Sequence, residues 1–187
     1  MKTLQYLFDS MLFLIIRIAT LVRFPKVTAR YVRLTRRLPN PAFPTTVEDK
    51  FFWRKCFDTD PRFPGIADKL AVRDWMVEHG FDMDMPDVHW IGTDANTIPQ
   101  ELRTPDYVLK ANHGSGWNVF FQHFEDNPQR AIDAANSYMP LRYGERWHEQ
   151  FYYAIEPKLF IEDYLHDVTM EMKFYTCRDK VTRVYVR

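Results

Sequence analysis

Apolar residues recur at helical spacing over the first 22 positions: Leu4, Leu7, Phe8, Met11, Leu12, Ile15, Ile18, Ala19 and Val22 follow i, i+3, i+4 steps. Gln5, Asp9 and Thr20 fall mostly off that stripe, so the pattern predicts an amphipathic helix. Its longest unbroken apolar run, residues 11–16, has six members, against the roughly 20 that a spanning helix needs. The run leads into Arg23, Phe24, Pro25 and Lys26 rather than a small-residue cleavage site, which reads against a secretory signal. Lys26, Arg30, Arg33 and Arg37 then recur at steps of four, three and four, predicting a second helix with a basic face. Three prolines in residues 39–44 cannot continue a helix and read as a stiff linker.

Beyond the linker the periodicity changes. Residues 47–57 carry helical spacing, with Thr46 as the expected N-cap and Glu48 and Asp49 in the first turn. A further helix is predicted over residues 66–78, closed by Gly80. Short strands are predicted at 88–92, 107–111, 117–122, 158–164, 171–176 and 181–186, with a helix at 131–138. Helices, a hairpin, a helix and more strands give an α+β class with antiparallel pairs rather than a doubly wound sheet. The expected organisation is an arm at 1–38, a linker at 39–44 and a domain at 45–187.

The charge distribution sharpens that division. The net charge is zero, yet residues 1–40 hold eight basic residues against Asp9 alone, and the other 147 hold 17 basic against 24 acidic. A basic arm of net charge +7 therefore cancels a domain of −7. An apolar stripe followed by Arg23, Lys26, Arg30, Arg33, Arg36 and Arg37 suits an anionic membrane surface. The alternative is a helix packed on the domain with its arginines solvated. The acidic domain argues against nucleic acid as its partner. Two cysteines, Cys56 and Cys177, do not make a disulfide framework or a four-Cys zinc site. The six histidines lack zinc-helix spacing, so no metal ligands are expected.

Chemistry concentrates in residues 107–121. A strand with Lys110 at its centre runs into Asn112-His113-Gly114-Ser115-Gly116 and then into a second apolar stretch. Glycines permit positive φ and close approach of backbone N–H groups to an anion. No Gly-Lys-Ser/Thr precedes a helix, so this is not a P-loop; a phosphate would be covered by a hairpin flap, with Lys110 beside it as a point charge. A lysine inside an apolar strand must snorkel or meet an anion. Read without Lys110, the stretch is a surface hairpin with a glycine turn. Residues 157–165 form an apolar strand ending in Glu162 and Asp163, the form of a hinge beside a nucleotide or of a solvated edge strand. Asp68, Lys69 and Arg73 open a helix and are equally a surface patch. Ser115 lacks a nucleophile-elbow pattern, and the Asp58-Thr-Asp60 and Asp82-Met-Asp84 strings match a glycosyltransferase metal motif in letters only.

In order, Lys50-Phe-Phe-Trp53-Arg54-Lys55-Cys-Phe-Asp58-Thr-Asp60-Pro61, Ala67-Asp68-Lys69-Leu-Ala-Val-Arg73, Val108-Leu-Lys110-Ala-Asn112-His113-Gly114-Ser115-Gly116-Trp117-Asn118, Tyr143-Gly144-Glu-Arg146-Trp147-His148, Ile155-Glu-Pro157-Lys158-Leu-Phe-Ile-Glu162-Asp163-Tyr164-Leu165 and Met172-Lys173-Phe174-Tyr175 resemble the ATP-grasp superfamily, most closely its TupA-like branch of cell-surface polysaccharide and teichuronopeptide biosynthesis. The resemblance covers residues 50–176. It implies an ATP-grasp-like fold in which Lys69 and Lys110 contact nucleotide phosphates. Gly114, Ser115 and Gly116 would form the phosphate flap with His113 among the nucleotide-binding residues, Glu162, Asp163, Tyr164 and Leu165 would form the adenine hinge, and Glu171 would reach the ribose or a phosphate.

The activity so implied is ATP-dependent activation of a carboxylate as an acyl-phosphate for a glycan or amino-acid acceptor, at the cytoplasmic face of the membrane. Mg²⁺ is expected with ATP, but the family's metal-binding acids follow strands beyond Arg187. The C-terminal subdomain is therefore expected to be incomplete, leaving an exposed sheet edge. Two other readings stand beside it: a non-catalytic accessory protein of glycan assembly, and a glycosyltransferase.

Overall fold

The computed structural model describes residues 2–145, 148–177 and 179–187. Arg146 and Trp147, part of the 143–148 stretch above, lie outside the described residues, as do the side chains of Leu4, Leu7 and Phe8. The class is α+β, with helices and two small antiparallel sheets. The chain forms two compact units: Met1–Asp82, Ala111–Trp117 and Met139–Lys158 make the first, and Met83–Lys110, Asn118–Tyr138 and Leu159–Arg187 the second.

In the first unit, α1 (Lys2–Arg23) is followed by α2 (Pro25–Thr35), whose Pro25 fills a first-turn position where no N–H is required. Exposure on α1 is not confined to the expected stripe: Phe13, Leu14 and Ile16 are exposed along with Met11, Leu12, Ile15, Ile18 and Val22. Among the described residues no helix is long and apolar enough to cross a membrane. In contrast, α2 is docked. Its Val27 and Tyr31 pack with Phe52 of α3 (Val47–Phe57), the Tyr31 and Phe52 rings meeting edge to face at 5.5 Å.

Beneath that contact lies Asp49, fully buried. Its carboxylate accepts hydrogen bonds from the Tyr31 hydroxyl at 2.6 Å, the Asn40 amide at 3.1 Å, the Thr46 hydroxyl at 3.0 Å and Arg37 Nη1 at 3.3 Å. Burial pushes its pKa up, but the donors outweigh burial and hold it at about 2. Thr46 is the predicted N-cap, accepting from the Asp49 amide at 3.2 Å. The proline-rich stretch is folded against the same place: Pro39 and Pro41 are buried and Asn40 bonds to Asp49.

The helix predicted over 66–78 is divided. It forms α4 (Phe63–Ala67) and α5 (Ala71–Glu78), with a break at Asp68–Leu70. Asp68 Oδ1 accepts from the Leu70 and Ala71 amides at 2.8 and 3.4 Å, a side-chain turn that competes with helix continuation. Gly80 follows the C-cap His79 with φ of +75°, as a terminating glycine should.

The second unit is built on a four-stranded sheet in the order β1 (Val88–Gly92), β4 (Leu159–Asp163), β2 (Tyr107–Ala111), β3 (Asn118–Phe120). β1 pairs antiparallel with β4, and β2 with β3 in the predicted hairpin. Leu159, Phe160, Ile161 and Glu162 of the inner strand β4 are all buried, whereas β1 alternates exposed and half-buried positions. Helix α6 (Pro128–Asn136) supplies Ala131, Ile132 and Ala135 to the core beside Val108, Leu109 and Val119. β3 is shorter than the predicted 117–122 strand because the chain turns into a 3₁₀ helix at Phe121–Phe124. A second sheet pairs β5 (Met172–Cys177) with β6 (Lys180–Val186), every residue of β6 being exposed.

Candidate functional site

The glycine loop belongs to the first unit. Asn112, 1% exposed, is its anchor. Its Nδ2 donates to Asp68 Oδ2 and to the Glu156 carbonyl, both at 3.0 Å, while its Oδ1 accepts from the Lys158 amide at 2.7 Å. Its backbone N–H donates to the Lys158 carbonyl at 3.0 Å. One side chain thus fastens the loop to the α4–α5 break and to the 156–158 segment. Buried polar atoms cost about 1–3 kcal/mol each when left unpaired, so this satisfied amide locks the loop base.

Lys69 sits on the same break. Its Nζ donates to the Ala111 carbonyl at 2.9 Å and to the Gly114 carbonyl. The break in the predicted helix is what turns Lys69 toward the loop. His113 is buried, its ring 3.2 Å from Asn112 Oδ1 and edge to face with Trp117 at 5.1 Å between centroids. The two glycines have different reasons to be there. Gly116 has φ of +76° with open space around it, a conformation that L side chains rarely adopt. Gly114 does not need positive φ; a Cβ there would run into the Trp117 indole. Ser115 and Gly116 are exposed at the tip.

The remaining expected residues belong to the second unit. Lys110 Nζ is paired with Glu162 Oε1, the lysine side chain 26% and the glutamate 8% exposed. Lys110 pairs in register with Asn118 across the β2–β3 hairpin, and the Asn118 Oδ1 is buried with no hydrogen-bond partner among the described residues. Such an orphaned acceptor calls for a donor from elsewhere. At the end of β4, Asp163 accepts from the Asp87 amide at 3.2 Å and lies 2.6 Å from His89 Nε2. The β1–β4 register shifts between Val88 and Trp90, so His89 is a bulge residue whose ring is re-aimed at Asp163. Tyr164 donates its amide to the Asp106 carbonyl at 2.8 Å and packs edge to face on Phe120. Leu165 is exposed. Glu171 is exposed, 3.4 Å from Lys173, and its backbone pairs with Arg187 in both directions.

The structure therefore gathers Lys69, His113 and Gly114 in one unit and Lys110 and Glu162, with Asp163 and Tyr164 following on the same strand, in the other. Asn112, Asn118 and His89 are the residues that sequence reasoning passed over. Asn112 and Asn118 belong to the 108–118 string but were given no role there; His89 depends on a bulge that only strand pairing reveals. Among the described residues no group of three or more His, Cys, Asp or Glu is placed to hold a metal ion. Comparison with family models, curated proteins and solved structures gave no match.

Proposed function

We propose that the chain binds ATP as a ligase-type enzyme of cell-surface polysaccharide assembly, in an ATP-grasp-like manner. The carrying observation is Lys110: a mid-strand cation held by Glu162, in register with the orphaned acceptor of Asn118, on the strand that leads into the glycine loop. Lys110 is the ready counter-charge for a phosphate, exchanging Glu162 for a phosphate oxygen on binding. Glu162, Asp163, Tyr164 and Leu165 supply the hinge for adenine and ribose. Gly114, Ser115 and Gly116 are assigned to the nucleotide phosphates, and within its own unit their loop is tied by Lys69 to the Ala111 and Gly114 carbonyls. In the reaction proposed, a carboxylate oxygen of the substrate attacks the γ-phosphorus and ADP leaves. An amine or similar nucleophile of the acceptor then attacks the acyl carbon and releases phosphate. Charge builds on the transferred group throughout, which is where a fixed lysine lowers the barrier.

The test is the affinity of the full chain for ATP with Mg²⁺, measured beside Lys110→Ala. Loss of one charged hydrogen bond predicts binding at least about tenfold weaker. Equal affinity in the two proteins rejects the role of Lys110.

We place this activity at the inner face of the plasma membrane. The support is the exposed apolar surface of α1 followed by exposed Arg23, Lys26, Arg30, Arg33 and Arg36. Each basic residue near an anionic leaflet adds about 1 kcal/mol. Arg37 contributes less, being engaged with Asp49 and Thr46. The full chain should float with phosphatidylserine-containing liposomes at low salt and less so at high salt. Protein that stays at the bottom of the gradient at low salt rejects the placement.

A further inference from the structure

A cleft of about 260 Å³ lies within the first unit, between the end of α3 with the turn that follows it and residues 148–151. Residues of the 54–61 stretch and His148 line it, and the nucleotide reading leaves them without a role. Residue 149 is brought to α3 by a salt bridge of 3.0 Å between Lys55 Nζ and Glu149 Oε1. The loop that carries it is specialised. Gly144 has φ of +86°, and a Cβ on it would collide with the Glu149 carbonyl, while the Glu149 amide closes the turn onto the Gly144 carbonyl at 2.9 Å. His148 holds a left-handed φ of +56°, uncommon for a residue with a side chain. Strained backbone of this kind concentrates at functional sites.

The chemistry of the lining is polar but balanced. Arg54 Nε is 3.0 Å from Asp58 Oδ2, Lys55 is matched by Glu149, and Asp60 is held by Arg62 at 2.5 Å. Each charge has its counter-charge, so an anionic ligand finds no surplus to neutralise. Burial, and then the charge of Lys55, lower the pKa of His148, which keeps its imidazole neutral at neutral pH. A neutral imidazole presents one donor and one acceptor, and its Nε2 lies 2.6 Å from Gln150 Nε2. Burial pushes the Cys56 thiol up to about 12, which removes a thiolate from consideration. Phe63 and Phe151, 5.8 Å apart, add apolar walls, and the Arg54 guanidinium lies 4.7 Å over the Phe63 ring.

We propose that this cleft binds a neutral, polyhydroxylated ring, one sugar unit in size. Closely spaced donors and acceptors of both kinds match vicinal hydroxyls, and ring edges match the C–H faces between them. The volume lies below the roughly 300–1,000 Å³ of sites for larger ligands, so it accommodates a single ring rather than a chain. The inference goes beyond the nucleotide reading and does not depend on it, since no residue of the cleft is among those assigned to ATP.

The experiment is saturation-transfer NMR on the full chain with glucose and with N-acetylglucosamine, using inorganic phosphate as competitor. The expected result is transfer to the ring protons of at least one sugar, undiminished by phosphate. Gln150→Ala and Arg54→Ala, both at accessible side chains, should weaken that binding tenfold or more with unchanged circular dichroism and unchanged ATP affinity. Absence of transfer from both sugars, displacement by phosphate, or full sugar affinity in both variants overturns the proposal. The phosphate competition is read on the unaltered chain, so the result does not hang on how the variants fold.

Discussion

Asp49 and Asn112 are both buried polar side chains that tie together segments distant in sequence, yet one carries a charge and the other does not. Asp49 gathers donors from Tyr31, Arg37, Asn40 and Thr46, and so binds α2 and the proline-rich stretch to α3. Asn112 joins Asp68 to the 156–158 segment beneath the glycine loop, using donors and acceptors alike. The carboxylate accepts only, so it suits a place where every neighbour donates. The amide does both, so it suits a place where one neighbour is a carboxylate and another an N–H. The difference teaches that the arm is fastened by a side chain that titrates and the loop by one that does not.

The largest effect follows from removing the charged hub. Asp49→Ala removes the acceptor shared by two hydroxyls, an amide and a guanidinium, and should cost roughly 3–5 kcal/mol of unfolding free energy at pH 7. The pH dependence has a definite sign. The folded pKa of Asp49 is about 2, below the ordinary 3.8, so the unfolded chain binds its proton more readily. The stability that Asp49 contributes is complete above the ordinary carboxyl value and is lost as pH falls through the folded one. Urea unfolding of both proteins should therefore show a gap that is widest near pH 7 and narrows between about pH 4 and pH 2. A gap constant across that range contradicts the hydrogen-bonded carboxylate as its source.

What the sequence disclosed follows the same division. Thr46 as N-cap, the β2–β3 hairpin, the existence of strand β4 and the glycine after α5 all rest on local patterns of spacing, capping and alternation, legible one segment at a time, whereas the inner place of β4 overturns the solvated-edge reading of Glu162. The division of the 66–78 helix was not legible, because helical spacing continues through Asp68, whose Oδ1 turns onto the Leu70 and Ala71 amides while its Oδ2 is held by Asn112, 44 positions away. For the same reason Asp49 looked like an acidic first-turn residue and proved to be the hub of the arm. In the candidate site, Lys110 and the glycine loop stand out by residue type, whereas Glu162 as the partner of Lys110 and His89 as the partner of Asp163 depend on strand order and a bulge. Two nearby glycines also read alike in sequence; only the Trp117 ring over Gly114 and the positive φ of Gly116 separate their reasons.

The uncharged hub can be converted into a titrating one, which inverts the comparison. Asn112→Asp replaces the Nδ2 donor by an acceptor that faces Asp68 Oδ2 and the Glu156 carbonyl, both partners lying 3.0 Å from the present nitrogen. Two carboxylates at that separation repel, and the introduced group keeps its proton in the folded state to a higher pH than in the unfolded chain. A carboxyl with a raised folded pKa makes stability fall as pH rises, the opposite of Asp49. The variant should lose about 2–3 kcal/mol at pH 7 and recover most of it near pH 4, measured by the same urea titrations. A loss that stays flat, or that grows on acidification, means that Asn112 does not face Asp68 as described. The loop anchored by that amide would then need another support than the one at its base.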